Sequence, residues 1–354
     1  MKAVYEVVKK TKYFILFLCL ISFFCVMGCA QDFLPYLSRV EEDPQDVIPE
    51  EQIREDIRQH QEELPEGILY LQVYYVDGKD NYLVPVTVPV PWTQGVARAA
   101  LEKLIEGPTP AQEMRYGLSS PLPPTTKILG LTIRDGLAKV DLSEDIMSYD
   151  PGDERNVLNS IIFTLLQFPS VNEVQIMVEG FPPETFPGGT SGKGTFGWER
   201  GLNLEVADEV IEIDKTQPVM LYYCAVLGEN RIFYIPVTRV ISADREIIRA
   251  TLEELLKGPR LESSLFTELP PGTELRDFVL QNNTLIVDFS KEIMNYKGGL
   301  SGEKNIIMQV VLTLTRIPGV EKVQLLVEGE KINWIYGTSL DEPLLRPLII
   351  NSLT

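Results

Sequence analysis

Apolar and polar positions follow one succession of elements through the first half of the chain. Two runs of β-branched and aromatic residues, 68–76 and 82–90, are separated by a turn sequence and predict a β-hairpin. Apolar residues then recur at helical spacing between Val96 and Ile105, and Gly107-Pro108 ends the amphipathic helix that they predict. The expected start of the fold is therefore a hairpin followed by a helix.

The same half continues with a second hairpin, a second helix and a last strand. The hairpin strands, 127–133 and 137–142, flank Asp135-Gly136, a dipeptide suited to a type I′ turn because both central residues need positive φ. Apolar residues at helical spacing over 157–165 predict the helix, and residues 173–178 predict the strand. The order β-β-α-β-β-α-β predicts an α+β fold in which two helices pack on one mixed sheet.

The second half of the chain repeats this unit. Twenty positions in three aligned segments are identical, and the segments keep their order, so a duplication is the simplest explanation. The matching segments are residues 96–108 with 247–259, 140–149 with 287–296, and 169–180 with 318–329. Two tandem domains are therefore predicted, over residues 67–214 and 218–354.

Residues 1–28 have the pattern of an export signal. Four lysines lie within residues 1–12, and the 15 residues that follow, 13–27, are almost all apolar. This run is shorter than the roughly 20 residues that span a membrane comfortably. Cleavage of the segment is expected, and the alternative is an uncleaved signal anchor.

The end of this segment, Val26-Met27-Gly28-Cys29, resembles a bacterial lipobox. The resemblance implies cleavage between Gly28 and Cys29 and attachment of diacylglycerol, with palmitate, to the Cys29 sulfur. Residues 29–66 are rich in acids and proline and cannot bury a core, so they are predicted to form an acidic tether. The folded part is then expected to be held at the extracytoplasmic face of the membrane.

Charge and composition exclude several classes of function. With 32 Lys and Arg against 51 Asp and Glu, the formal net charge is −19, which repels a nucleic-acid backbone. His60 is the single histidine and lies in the acidic tether, whereas zinc proteases and Ser-His-Asp or Cys-His hydrolases each need a positioned imidazole. Three cysteines crowd the amino terminus and Cys224 stands alone, which gives no metal spacing. No catalytic residue, metal or cofactor is therefore predicted.

The remaining candidate sites favour structural roles. Residues 187–194 resemble a P-loop but have Pro187 at the first glycine position and Gly194 where the motif has Ser or Thr, so a connecting loop is predicted. Cys224 falls on a strand among apolar residues and is predicted to be a buried thiol, with an intermolecular disulfide as the alternative.

Several polar residues recur in both copies, and a residue that the fold requires is expected twice. The Asp and Ser of the Val-Asp-x-Ser segments are predicted to cap backbone N–H groups, the Asn residues to form local bonds at a helix start, and the Glu residues to be solvated in turns. These residues are Asp141 and Asp288, Ser143 and Ser290, Asn156 and Asn305, and Glu179 and Glu328.

The duplicated unit is similar to the sporulation and germination lipoproteins with paired GerM domains. The similarity rests on Pro-Val-Thr at 85–87 and 236–238, the Leu-x-x-Leu-x-x-Gly-Pro of the first helix, the Val-Asp-x-Ser strand end and the closing Val-Glu-Gly. The resemblance implies a non-enzymatic part of the complex between mother cell and forespore, anchored in the outer forespore membrane and facing the intermembrane space. It implies membrane-associated sporulation proteins as partners, with peptidoglycan as a further candidate.

Three functions are consistent with the sequence. The first is an interaction module in which open strand edges add strands from partners. The second is a wall-remodelling hydrolase with paired carboxylates, which needs no histidine. The third is a solute-binding lipoprotein that closes a cleft between its two domains.

Overall fold

The computed structural model describes residues 67–207, 215–228, 231–331 and 342–353. The signal segment, Cys29, His60 and the acidic tether lie outside the described residues. Within those ranges the helices are too short or too polar to cross a membrane. Both copies of the repeat belong to one structural unit, Ile53–Thr354.

The first copy contains six strands and three α-helices within the described residues. They are β1 (Ile68–Asp77), β2 (Leu83–Pro91), α1 (Val96–Glu106), α2 (Pro110–Tyr116), β3 (Leu118–Ser119), β4 (Ile128–Arg134), β5 (Leu137–Leu142), α3 (Glu154–Leu166) and β6 (Glu173–Val178). The short helix α2 and strand β3 were not predicted. Helix α2 has a strong local start, because Thr109 and the side chain of Gln112 form a reciprocal capping box and Pro110 takes the first helical position.

The second copy repeats the pattern without the short helix. Its elements are β7 (Glu205–Val206), β8 (Thr216–Leu227), β9 (Arg231–Ser242), α4 (Ile247–Lys257), β10 (Leu275–Gln281), β11 (Thr284–Phe289), α5 (Gly299–Leu314), β12 (Lys322–Val327) and β13 (Leu344–Leu345). Strand β7 comes from the segment that follows the first copy, yet it pairs in parallel with β9 of the second.

The predicted α+β class is confirmed, but the strands of each copy lie in two sheets and not in one mixed sheet. The orders are β2-β1-β3 and β4-β5-β6 in the first copy, and β7-β9-β8 and β10-β11-β12-β13 in the second. One mixed sheet does not form because both edges of β1 are paired within its own sheet, while the outer side of β2 faces β9 of the other copy.

The second helix of each copy is the centre of its packing. Helix α3 contacts α1, β1 and β6, and helix α5 contacts α4, β8 and β12. Because each helix is covered from several sides, it is buried around most of its circumference, and the buried residues include polar ones such as Asn159 and Gln309. The first helices, α1 and α4, bury one face only, which gives the clearer amphipathic pattern seen in the sequence.

The end of each copy crosses to the first hairpin of the other copy. The Leu202 N–H donates to Thr238 Oγ1 at 2.9 Å, and the Thr238 N–H donates to the Leu202 carbonyl at 2.7 Å. Ile350 forms the same two bonds with Thr87, each at 2.9 Å. Thr87 and Thr238 end the two Pro-Val-Thr tripeptides, so this repeated sequence joins the copies.

Two asparagines bridge the facing strands β2 and β9. Asn203 Oδ1 accepts the Leu83 N–H at 2.9 Å, while its Nδ2 donates to the carbonyls of Leu83 at 2.9 Å and Pro236 at 2.7 Å. Asn351 makes the equivalent bonds. Its Oδ1 accepts the Tyr234 N–H, and its Nδ2 donates to the carbonyls of Tyr234 and Pro85, all at 2.8 Å. Both asparagines have positive φ, 47° and 53°, a conformation that asparagine tolerates better than most residues.

A buried ion-pair network holds the connecting strand β7 on the second copy. Arg239 Nη2 lies 2.9 Å from Glu205 Oε2, and its Nη1 lies 3.2 Å from Glu254 Oε2. Glu254 also contacts Arg245 at 2.6 Å and Lys257 at 2.7 Å. Removing Arg239 would take this partner from the Glu205 carboxylate, so the pair helps to hold β7 beside β9.

We expect Asn351→Gly to lower the free energy of unfolding by about 1–3 kcal/mol, because the main-chain groups of Tyr234 and Pro85 lose their partner. Glycine accepts positive φ, so the loss reports the side-chain bonds and not backbone strain. The measurement is urea unfolding followed by tryptophan fluorescence.

The matched control for this prediction is Asn282→Gly. Asn282 has φ of 49°, is exposed, and makes no side-chain hydrogen bond within the part of the chain that the structure describes. Its replacement is expected to change stability by less than about 0.5 kcal/mol. Equal stability of the Asn351 variant and the unmodified chain would show that the bridge does not hold the copies together.

Candidate functional site

The recurring Asp and Ser residues bind main chain on neighbouring segments. Asp141 Oδ1 accepts the Gly180 N–H at 2.8 Å, and Asp288 Oδ1 accepts the Gly329 N–H at the same distance. The Ser143 hydroxyl accepts the Lys127 N–H just before β4, and the Ser290 hydroxyl accepts the Glu274 N–H just before β10, both at 3.0 Å. They therefore satisfy backbone N–H groups, although neither serine caps the short 3₁₀ turn that follows it.

The glutamates at the end of the last strands cap those 3₁₀ turns. Glu179 Oε1 accepts the Glu144 N–H, and Glu328 Oε1 accepts the Lys291 N–H, both at 3.0 Å. Both glutamates are exposed residues of turns, as predicted, and both have positive φ, 50° and 54°. The sequence did not indicate the bonds to the 3₁₀ turns. Glu328 also pairs with Arg276.

The recurring asparagines form long-range contacts and not the predicted local ones. Asn156 Nδ2 donates to the carbonyl and side-chain oxygen of Asn81, at 3.1 and 2.9 Å, and so ties α3 to the first hairpin. Asn305 Oδ1 accepts the Tyr234 O–H at 2.7 Å and ties α5 to β9. The sequence could not show these contacts, because each partner is more than 70 residues away.

Glu154, which was not singled out from the sequence, holds the glycine-rich loop. Its carboxylate accepts the Thr190 N–H at 2.9 Å, the Gly188 N–H, and the Tyr149 O–H at 3.2 Å. A Cβ on Gly188 would meet the Pro151 carbonyl at 2.7 Å, so only glycine allows this approach. The backbone N–H groups that a P-loop offers to phosphate are bound here by a carboxylate.

The same carboxylate recurs in the second copy. The Tyr296 O–H donates to Glu303, which is fully buried at the start of α5. The signal for this pair was present in the sequence, since Tyr149 and Tyr296 end one matching segment and the glutamates follow them, 5 residues later in the first copy and 7 in the second.

Two buried tyrosines and two half-buried arginines lie where the copies meet. Tyr74 and Tyr222 each lie opposite the proline of the Pro-Val-Thr in their hairpin. Arg346 Nη2 donates to the Tyr222 hydroxyl at 2.7 Å, and the Arg316 guanidinium lies 4.7 Å from the centre of the Trp198 ring.

The charges of this cluster act in opposite directions on its two phenols. Burial raises the pKa of Tyr74 to about 12, despite the Arg316 charge. Burial also raises the pKa of Tyr222, but Arg316 and Arg346 outweigh it and leave that pKa below its ordinary value. Burial and the Arg316 charge lower the pKa of Arg346 to about 10. The cluster is an internal contact between the copies.

The space between the copies is too small for a solute, and a larger depression of about 500 Å³ on the second copy, lined by Arg249, Glu253 and Glu274, is open to solvent. The space between the copies beside Asp77, Tyr82 and Val226 has a volume of about 20 Å³, room for about one water molecule. Among the described residues no group of three His, Cys, Asp or Glu side chains is arranged to bind a metal. Cys224 is buried, and this burial raises the pKa of its thiol.

The edge strands are the recurring feature that the fold leaves open. Among the residues that the structure describes, strand β4 pairs with β5 alone, and strand β10 pairs with β11 alone. Both carry large apolar side chains that face solvent, with Leu129 48%, Ile133 37% and Leu280 40% exposed. A one-residue irregularity interrupts each ladder near its start and leaves the last five residues of β4 and of β10 in regular register. These edges are the candidate interaction sites.

The fold and the site define a protein with two fused α+β modules, in which the recurring polar residues maintain the structure and the sheet edges are exposed. The family model "Germane: Sporulation and spore germination" matches residues 72–184 and again residues 220–333. The chain therefore belongs to the Germane family.

Similarity in sequence and in structure to a spore germination protein agrees with this family assignment. The chain is 31% identical over 292 residues to the spore germination protein GerM of Bacillus subtilis (strain 168), a match that covers 79% of this chain and 78% of that protein. The solved tandem GerMN domains of GerM from Bacillus subtilis superpose with a TM-score of 0.69 at 29% identity, covering 80% of this chain and 99% of that structure.

We expect Glu154→Gln to destabilise the chain at pH 7 by about 1–3 kcal/mol, because charge-assisted bonds to the loop are weakened. Burial by itself raises the pKa of Glu154. The hydrogen bonds from Thr190, Gly188 and Tyr149 together have a larger, opposite effect, so the pKa lies below the ordinary value of 4.5. The stabilisation by the ionised Glu154 carboxylate is therefore fully present above pH 4.5, and it is lost as the pH falls through the lower pKa of the folded state.

Urea unfolding of both proteins at pH 7 and pH 3 measures this contribution. The difference between them should shrink at pH 3, and the exposed Glu113→Gln variant serves as the control with no difference at either pH. A Glu154→Gln difference that is as large at pH 3 as at pH 7 would contradict a role for the ionised carboxylate.

Proposed function

We propose that this protein is a non-enzymatic extracytoplasmic scaffold of sporulation and spore germination, tethered to the membrane by a lipid on Cys29. In this proposal it works in the complex between mother cell and forespore, in the outer forespore membrane and facing the intermembrane space. Its partners are other membrane-associated sporulation proteins, and peptidoglycan is a further candidate. Membership of the Germane family supports a role in sporulation and spore germination, and the architecture supports action as a scaffold.

One observation carries the proposal of a scaffold. The polar residues that recur in both copies are engaged in holding the fold, whereas the strand edges that recur are open. An enzyme would need polar groups directed at a substrate, and a scaffold needs exposed surface in a fixed arrangement. The bonds of Thr87, Thr238, Asn203 and Asn351 supply that arrangement, since they hold the two copies, and with them both edges, in one unit.

We expect a deletion strain in the native host to form fewer heat-resistant spores, and the full-length gene to restore them. Variants with a charge on either edge, Ile133→Lys or Leu280→Lys, should accumulate normally but restore spores poorly, because a buried charge opposes strand pairing. Counting heat-resistant colonies and immunoblotting the protein measure both effects. Wild-type spore formation by the deletion strain would contradict the proposal.

The lipid anchor is tested separately. Cys29→Ala should move the protein from the membrane fraction to the soluble or secreted fraction, provided that the signal is still processed, and should remove the acyl mass from its amino-terminal peptide. Cys25→Ala is the matched control within the same apolar segment and should leave both unchanged. A Cys29→Ala protein that keeps the acyl mass would exclude lipidation at this cysteine.

A further inference from the structure

The two open edges differ in charge, although they occupy equivalent places. Strand β4 is bracketed by Lys127 and Arg134, and residues 127–134 contain no acid. The equivalent positions around β10 are Glu274 and Gln281. A cationic edge is unexpected in a chain of net charge −19, so the difference between the copies is informative.

The cations of the first edge have no ion-pair partner in the part of the chain that the structure describes. Both Lys127 and Arg134 are exposed, and neither forms an ion pair with any residue in the described ranges. Hydrogen bonds from Ser143 and Thr125 lower the pKa of Asp145, and the charge of Lys127 lowers it by a smaller amount. Both charges therefore face solvent at the two ends of an apolar strand.

The arginine of the second edge strand, β10, is paired with acids of its own copy. Arg276 in β10 pairs with Glu328 and lies 3.4 Å from Asp288. Asp277 Oδ1 accepts the Phe278 N–H at 2.8 Å, so one edge donor of β10 is already bound. Natural edge strands are commonly protected from pairing by such charges and by irregular backbone. In strand β4 the Ile128 carbonyl accepts a bond from Arg98 at 3.0 Å, and the one charged residue, Arg134, ends the strand. Residues 129–133 between them carry no charge, so β4 is the less protected edge along its middle.

We propose that β4 is a docking site for an extended segment of a partner protein whose apolar residues are bracketed by acidic residues. The segment adds a strand to the sheet β4-β5-β6, its main chain pairs with the open edge, and its terminal acids lie near Lys127 and Arg134. This proposal specifies the partner surface of the scaffold proposed above and rests on it.

Self-association is the less favourable occupant of this edge. Antiparallel pairing of β4 with β4 of a second chain, centred on Leu131, would place Arg134 of each chain beside Lys127 of the other. Like charges at both ends of a strand pair are destabilising, whereas an acid-ended segment gains at both ends. Charge complementarity thus selects a partner segment over a second copy.

The test uses two synthetic peptides and the full chain purified in detergent. The first is fluorescein-labelled Glu-Val-Gln-Ile-Met-Val-Glu, the sequence of residues 173–179, which is an apolar strand with an acid at each end. The second replaces both glutamates with lysine. We expect the acid-ended peptide to bind about tenfold more tightly, and the difference to shrink in high salt.

A charge exchange on the protein makes the test specific. Lys127→Glu combined with Arg134→Glu should reverse the preference between the two peptides, and it alters exposed side chains without touching the core. Gln281→Glu, at the equivalent end of β10, is the matched control and should leave both affinities unchanged. Hydrogen exchange should show protection by the acid-ended peptide within residues 128–134.

Several outcomes would overturn the proposal. They are equal affinity of the two peptides, no binding of either, protection outside β4, or dimerisation through β4 that the peptides do not compete with. Each would leave the scaffold function standing, because that function is judged by spore formation in the deletion strain and not by peptide binding.

Discussion

The arrangement of the whole unit depends on an exchange of chain ends between the two copies. Leu202 bonds to Thr238, Ile350 bonds to Thr87, and Asn203 and Asn351 bridge the strands between them. These bonds satisfy main-chain groups on facing strands that do not pair directly, and buried main-chain groups are costly to leave unpaired. Each copy therefore completes the other, and the relative position of the two edge strands follows from this one contact.

The cluster of tyrosines and arginines shows that the copies have diverged at their contact. In the first copy Gln167 binds the main chain of Gln72, whereas Arg316 takes the equivalent position in the second copy and lies beside the Trp198 ring. Two half-buried arginines thus lie near two buried tyrosines. The Tyr222 hydroxyl accepts a hydrogen bond from Arg346, and the positive charges of Arg316 and Arg346 favour its ionised form. The pKa of Tyr222 therefore falls although the residue is buried.

The elements with a clear period could be predicted from the sequence, and the contacts between distant segments could not. The hairpins, the amphipathic α1 and α4, and the apolar α3 and α5 follow from spacing alone. Helix α2 was missed because seven residues carry too short a pattern, and β7 was missed because it has two residues and pairs with the distant strand β9. Glu154 and Asn203 look like ordinary polar residues until the fold brings Gly188 and Pro236 to them.

Duplication separates residues that serve the fold from residues that serve a partner. A polar residue that both copies need, such as Asp141 with Asp288 or Glu154 with Glu303, is retained in each because each hairpin and helix must be closed. A surface residue is under no such constraint, so a difference at equivalent surface positions is where the two copies can acquire separate roles. Lys127 and Arg134 are of this kind, since Glu274 and Gln281 replace them without any change in the ladder of the edge strand.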